Sequence, residues 1–161
     1  MSYPDPVYFG DGEVLARYRP AHTAAELPRA GGAASYLATG ATTGGRFGLY
    51  RWDMNAASGG ARPHFHRTMS ESFYVLSGSV RLFDGAAWVD GGPGDFLHVP
   101  EGGLHGFSND SDEEASMLIL FTPGAPREAY FEGLVALSEG RWEPSHDELE
   151  AFFIEHDNIY V

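Results

Sequence analysis

A series of short apolar segments between Arg46 and Pro123 constrains the fold of this chain most strongly. Each segment ends in Gly, Pro, Asn or Asp, and successive segments follow at intervals of about 8–12 residues with no helical periodicity between them. The segments read RFGLYRWDM, HFHRT, ESFYVLSG, SVRLFDG, AAWVDGGPG, DFLHVPEG, GLHGFSND and EASMLILFTPG. Strands this short and this regularly interrupted predict an all-β domain, an antiparallel sandwich or barrel.

Length and charge limit what such a domain can bind. The 161 residues are 43% apolar, enough for one domain with a sizeable core. The formal net charge of −13 argues against nucleic acid and against anionic membrane surfaces, because both are bound through clusters of Lys and Arg. The chain has no cysteine, so it has neither a disulfide framework nor a thiolate nucleophile or metal ligand.

The sequence carries no signal for export or membrane insertion. Its first residues, MSYPDPVYFGDGE, lack the basic and apolar regions of a secretory signal. No apolar run approaches the roughly 20 residues that a membrane-spanning helix needs. We therefore expect a cytoplasmic protein with no membrane partner.

The barrel segments lie between two regions with different sequence patterns. Residues 1–45 are irregular and are predicted to form an N-terminal extension with possible short strands at 14–18 and 35–39. Residues 46–123 are predicted to form the barrel core. Residues 124–161 are predicted to form a helical extension, within a single domain overall.

Two helices are predicted in the C-terminal region. Tyr130, Leu134 and Leu137 recur at i, i+4 and i+7, the spacing of one helix face. Ser145 and Glu148 stand in the S-x-x-E relation of a capping box, which predicts the start of a second helix. We expect these helices to lie on the outside of the β-body or against a partner subunit.

The segment HFH places two imidazoles on one side of a strand. Residues i and i+2 share a face, so His64 and His66 project together, with α-carbons roughly 7 Å apart, close enough to reach one ion. Glu71 opens the next strand on the same face as Phe73 and Val75. A carboxylate in an apolar row needs a cationic or metal partner. Read alone, this pattern leaves open that the histidines are solvent-exposed.

A second segment, GDFLHVPEGGLHGFSN, adds another histidine. The strand from Gly94 ends at the turn PEGG, which brings His105 to the start of the next strand. Glycine permits the positive φ angles that a tight corner requires, so this turn can aim the imidazole inward.

Together the two segments resemble the two motifs of the cupin superfamily. The first motif, G-x5-H-x-H-x3,4-E-x6-G, is matched at His64, His66, Glu71 and Gly78, whereas Ser58 stands at its opening glycine. The second, G-x5-P-x-G-x2-H-x3-N, is matched at Gly94, Pro100, Gly102, His105 and Asn109. The resemblance implies a double-stranded β-helix, or jelly-roll, barrel with short C-terminal helices.

The resemblance also implies a metal site. Its ligands would be His64, His66, Glu71 and His105, and the metal would be one divalent ion of Fe, Ni, Mn, Co, Cu or Zn, with no organic cofactor. The chain is similar in particular to single-domain cupins of the flavonol (quercetin) 2,3-dioxygenase type. That similarity implies dioxygen and a small aromatic, oxygen-bearing substrate as partners, and Glu71 as the catalytic base. Cupin barrels commonly pair, so a homodimer is expected.

Aromatic residues near the motifs are candidates for the wall of a substrate pocket. They are Phe47, Tyr50, Trp52, Phe73, Phe107 and Phe121. An apolar pocket favours a flat hydrophobic ligand, and the shortage of Lys and Arg around the motifs argues against a phosphorylated one. Arg62, Arg67 and the histidines outside the motifs, His22, His98, His146 and His156, are interpreted mainly as surface residues.

Two other functions remain open. One is a non-oxidative metal-dependent cyclase or isomerase of polyketide-like phenols. The other is a non-catalytic cupin that binds a small molecule and whose metal is structural.

Overall fold

Two antiparallel sheets form the body of the protein. The computed structural model describes residues 2–161. The strands are β1 Leu27–Arg29, β2 Gly32–Ala38, β3 Gly48–Met54, β4 Gly59–Phe65, β5 Ser70–Ser77, β6 Val80–Phe83, β7 Trp88–Gly91, β8 Phe96–Val99, β9 His105–Asn109, β10 Ala115–Thr122 and β11 Ile159–Tyr160. The helices are α1 Gly40–Thr43, α2 Glu128–Ser138 and α3 His146–Glu155.

The strand order confirms the predicted fold class. One sheet runs β1-β2-β3-β10-β5-β8 and the other β11-β4-β9-β6-β7. Most neighbours within a sheet are distant in sequence, as in a double-stranded β-helix, where the chain passes repeatedly between the two sheets. The last strand, β11, pairs with β4, so the C-terminus of the chain completes the second sheet.

Alternation along the strands places the core between the sheets. In β5, Phe73 and Val75 are fully buried, whereas Tyr74 and Leu76 are exposed on the outer face. Glu71 is buried on the same inward row, as the alternation predicts. The sheet interior is therefore apolar up to the position of this carboxylate.

Phe73 is expected to be a major contributor to stability. It has no exposed surface, and its ring centroid lies 5.7 Å from that of Phe107. Truncation of Phe73 to alanine should lower the free energy of unfolding by about 3–5 kcal/mol, because it leaves a cavity that the rigid sheets cannot close. Phe96 on neighbouring β8 is 63% exposed, so Phe96→Ala, measured by the same urea titration, should stay within about 0.5 kcal/mol of wild type. Equal costs for the two variants would contradict this packing.

Both predicted C-terminal helices are confirmed. Helix α2 buries Tyr130 and Val135 against the barrel. Helix α3 begins after Ser145, whose side chain and that of Glu148 form the reciprocal capping box. Phe152 of α3 stacks on Tyr130 of α2 with ring centroids 5.6 Å apart, so the two helices pack as a pair.

The N-terminal region differs in part from the prediction. Strand β2 overlaps the predicted segment 35–39 and pairs with β3, so the first sheet extends upstream of residue 46. Residues 14–18 form no strand, because no other strand pairs with them and their side chains are exposed. Among residues 2–161, no helix is long and apolar enough to cross a membrane.

Candidate metal centre

Four side chains from three strands meet inside the barrel. His64 lies at the end of β4 with His66 just beyond it, and Glu71 and His105 lie at the starts of β5 and β9. Their residues are only 0–4% exposed. One nitrogen or oxygen atom from each lies within 4.8 Å of the others. The structure therefore brings together all four residues that the sequence motifs indicate.

The second nitrogen of each imidazole fixes the orientation of the ring. Nδ1 of His64 donates a hydrogen bond to the backbone carbonyl of Arg62 (2.7 Å), and Nδ1 of His105 donates to that of Gly103 (2.9 Å). Nδ1 of His66 donates to the backbone carbonyl of Asp157. A carbonyl can only accept, so each Nδ1 carries a proton and a neutral ring has its lone pair on Nε2. Rings held in this way are suited to bind a metal through Nε2.

The carboxylate of Glu71 occupies the point where these nitrogens converge. Its Oε2 lies 2.9 Å from Nε2 of His66 and 2.8 Å from Nε2 of His105. Imidazole lone pairs and a carboxylate oxygen this close repel one another unless a proton or a metal ion lies among them. Three nitrogens and one oxygen without a thiolate are a suitable ligand set for Fe, Mn, Co, Ni, Cu or Zn. The donor set thus fits one divalent transition metal.

The pKa values of His64 and Glu71 suit metal binding at neutral pH, whereas that of His105 is raised because the neighbouring Glu71 outweighs the effect of burial. Burial and the neighbouring His105 lower the pKa of His64 to about 4, so this ring is neutral. Burial alone would raise the pKa of Glu71, but the close contacts with His105 and His66 outweigh it and hold that pKa below its usual range. A neutral imidazole and an ionised carboxylate are the forms that bind metal.

The C-terminal tail supports the centre from outside. The backbone oxygen of Asp157 accepts the hydrogen bond from His66. The side chain of Asp157 in turn accepts hydrogen bonds from the backbone N–H groups of Arg67 and Thr68 and from the hydroxyl of Thr68, at 2.7–2.9 Å. Asp157 therefore connects the tail to the segment that follows His66, and no sequence motif indicated this role.

Replacing Asp157 with alanine should weaken metal binding without removing a ligand. The variant loses the hydrogen bonds to Arg67 and Thr68 that hold its carbonyl beside His66. Loss of such outer support typically costs about 10- to 100-fold in metal affinity. Asp112 lies exposed between β9 and β10, so Asp112→Ala is the matched control and should bind metal as wild type does. Unchanged affinity in Asp157→Ala, measured by competition with a chelator, would contradict this role.

A cavity of about 360 Å³ opens beside the cluster. Both sheets, the turn between β1 and β2, and helix α2 line it, and His64 and Glu71 contribute to its wall. Much of the wall is apolar: Trp52, Ala61, Phe107, Ile119, Phe121, Phe131, Leu134 and Val135. The arrangement can hold a flat organic ligand next to a metal ion.

The predicted pocket residues separate into two groups. Trp52, Phe107 and Phe121 line the cavity. Phe47, Tyr50 and Phe73 are not among the residues that line it. Phe47 precedes β3 and is 37% exposed, whereas Tyr50 and Phe73 are buried in the core, where the Tyr50 hydroxyl donates to Glu128 at 2.6 Å. Strand alternation predicts the face of a side chain but not its depth along the barrel.

Other residues of the wall lie outside the motifs. Arg29 and Arg127 come from the regions before and after the barrel core, and Tyr160 comes from β11. Arg62 also lines the cavity, although it is exposed as predicted. No local pattern in the sequence distinguishes these positions. His98 is exposed on β8, as predicted, and contacts Ser72 at 3.0 Å.

The structure is thus a double-stranded β-helix of two sheets, and its three buried histidines and one glutamate form a candidate metal centre. Residues 50–121 match the family model Cupin_2, described as a cupin domain. The matched segment contains all four of the clustered side chains.

One curated protein and two solved structures illustrate its relatives. A segment of 61 residues is 34% identical to quercetin 2,3-dioxygenase of Bacillus subtilis (strain 168), covering 38% of this chain but only 18% of that protein. The polyketide cyclase RemF from Streptomyces resistomycificus is 24% identical, with a TM-score of 0.55 over 68% of this chain and 80% of that one. A predicted oxalate decarboxylase from Thermotoga maritima is 18% identical, with a TM-score of 0.52 over 56% and 79%. The two structures share the fold.

Proposed function

We propose that this protein is a metal-dependent enzyme, a mononuclear dioxygenase that acts on a flavonol- or catechol-like aromatic substrate. The observation that carries the proposal is the convergence of three Nε2 atoms and one carboxylate beside an apolar cavity. The segment shared with quercetin 2,3-dioxygenase supports the choice of reaction.

The four clustered side chains would divide the work between them. His64, His66 and His105, with Glu71, would hold one divalent metal ion. Such an ion, when bound, acts as a Lewis acid toward a substrate hydroxyl and supports reaction with dioxygen. Glu71 would take the proton of that hydroxyl, because it lines the cavity that the substrate enters.

The cavity would orient the substrate and exclude water. Its volume of about 360 Å³ is within the range of small-molecule sites, which is roughly 300–1,000 Å³. Trp52 and Phe107 contact each other edge-to-face, with ring centroids 6.4 Å apart, and Phe121 also lines the cavity. Aromatic walls of this kind favour a flat ring with its oxygen atoms directed toward His64 and Glu71.

An oxygen electrode tests the proposal directly. Purified protein is stripped of metal, reloaded separately with Fe, Mn, Co, Ni, Cu and Zn, and assayed with a panel of flavonols and catechols. We expect dioxygen uptake that matches substrate loss and that depends on the metal. Conversion of substrate without dioxygen uptake would instead support a non-oxidative cyclase or isomerase. Binding without conversion would support a non-catalytic cupin.

A further inference from the structure

Three arginines line the cavity beside the candidate metal centre. They are Arg29, Arg62 and Arg127, from β1, β4 and the start of α2. The chain has only 10 Lys and Arg residues against 23 Asp and Glu, and Glu71 is the one carboxylate in the wall of this cavity. In this acidic protein, three of the few cationic side chains therefore lie around one cavity.

Arg127 is a buried cation with unused donors. Its residue is 3% exposed, and Nη1 donates to the backbone oxygen of His156 at 2.6 Å while Nη2 donates to Oδ1 of Asn158 at 2.7 Å. Its Nε is buried without a hydrogen-bond partner. A guanidinium has five N–H donors, so most of the hydrogen-bonding capacity of this group remains free. A buried charge left so incompletely paired needs an explanation.

Arg29, a partly buried residue of β1, also has an unpaired donor in the cavity wall. Nη2 donates to the backbone oxygen of Asp53 at 2.8 Å, and Nε is again buried without a partner. Burial lowers the pKa of Arg29 to about 10, so the group stays charged at neutral pH. Within residues 2–161, neither Arg29, Arg62 nor Arg127 forms a salt bridge with a carboxylate.

Aromatic rings hold all three guanidiniums in place. Arg29 lies over Trp52 at 4.3 Å, Arg62 over Tyr160 at 4.7 Å and Arg127 over Tyr130 at 4.2 Å, measured to the ring centroids. Stacking on an aromatic face orients a guanidinium but leaves its charge and its in-plane N–H donors available. The cavity wall therefore carries three oriented cations against one carboxylate, that of Glu71.

We infer that this cavity contains an anion-binding subsite and that its ligand is an aromatic carboxylic acid. Guanidinium groups bind carboxylates through paired N–H donors, and the apolar wall around them suits a flat hydrocarbon body rather than a sugar phosphate. The inference narrows the proposed substrate class to hydroxylated aromatic acids, and in that respect it rests on the proposed function. The subsite itself consists of side chains of this chain and does not require the metal.

Calorimetric titration of salicylate and its neutral amide, salicylamide, tests the subsite. In metal-free protein, where only the side chains can attract an anion, salicylate should bind at least about tenfold more tightly than salicylamide. Arg127→Met and Arg62→Met keep much of the side-chain volume but remove the charge, and each should reduce this preference severalfold. Arg62 is exposed and donates no hydrogen bond to the tail, so its variant stays informative even if Arg127→Met destabilises the fold.

Arg81→Met is the matched control. Arg81 also lies over an aromatic ring, that of Trp88 at 5.5 Å, but it is exposed on β6 and does not line the cavity. This variant should keep the full preference for salicylate. Equal binding of salicylate and salicylamide, an undiminished preference in both cavity variants, or tighter binding of inorganic phosphate than of salicylate would overturn the inference. Because these titrations need neither metal nor dioxygen, a failure of the proposed dioxygenase activity would be seen separately.

Discussion

Replacing His64 with alanine is expected to weaken the binding of a divalent metal ion by about 100-fold or more. His64 is neutral and buried, and its Nδ1 hydrogen bond to Arg62 directs Nε2 toward the other three donors. Removing an outer support costs up to about 100-fold in affinity, and removing a ligand should cost at least as much. The affinity is measured by competition with a chromophoric chelator, together with the metal content of the purified protein.

His64 is a more informative choice than the other two histidines. His66 and His105 both contact Glu71, so truncating either one would also leave a buried carboxylate with one partner fewer. His64 makes no hydrogen bond to Glu71, so a loss of affinity in His64→Ala reports mainly the lost ligand. The control is His98→Ala, which removes an exposed imidazole on β8 and should bind metal as wild type does. Wild-type affinity in His64→Ala would show that the four side chains are not a metal centre.

The metal ligands could be predicted from sequence because their placement depends on local rules. Strand alternation puts His64 and His66 on one side, and the turn before His105 brings a third imidazole to the same end of the barrel. His64 and His105 are direct partners across β4 and β9. The spacing of the motifs is consistent with this pairing, but only the structure shows it.

The support around the ligands could not be predicted in the same way. Asp157 contacts His66 across 91 positions of the chain, and Arg127 reaches the cavity from the segment before α2. Neither position has a spacing or a periodicity that relates it to the motifs. Asp157 reaches its place because β11 pairs with β4 and brings the end of the chain back to the barrel.

The motifs also did not indicate the positive charges that line the cavity. The shortage of Lys and Arg near the motifs argued only against a phosphorylated ligand. In the folded chain, Arg29 reaches the cavity from β1 and Arg127 from the residue before α2, and the exposed Arg62 lies over the ring of Tyr160. Local composition therefore does not describe the charge of a site that distant segments assemble.

Replacing Glu71 with glutamine is expected to lower turnover by about 100- to 10,000-fold, the range typical of a lost general base. Glutamine has nearly the same shape and keeps one carbonyl oxygen as a possible ligand, but it cannot accept a proton. Glu71 contacts both imidazoles through Oε2, so Oε1 takes no part in those two hydrogen bonds, and the residue lines the cavity. The carboxylate is thus placed to act on a substrate hydroxyl.

The measurement must separate loss of the base from loss of the metal. Glu71→Gln removes a negative charge beside the ion, so its metal affinity should also fall, and turnover is compared at saturating metal with the bound metal quantified in each sample. Glu101→Gln makes the same chemical change at an exposed position in the turn before His105, and this control should keep wild-type turnover. If metal-loaded Glu71→Gln turned over at the wild-type rate, Glu71 would be a ligand only, and the proton would have to leave the substrate by another route. If it retained metal but lost dioxygen uptake, the carboxylate would be required for chemistry as well as for coordination.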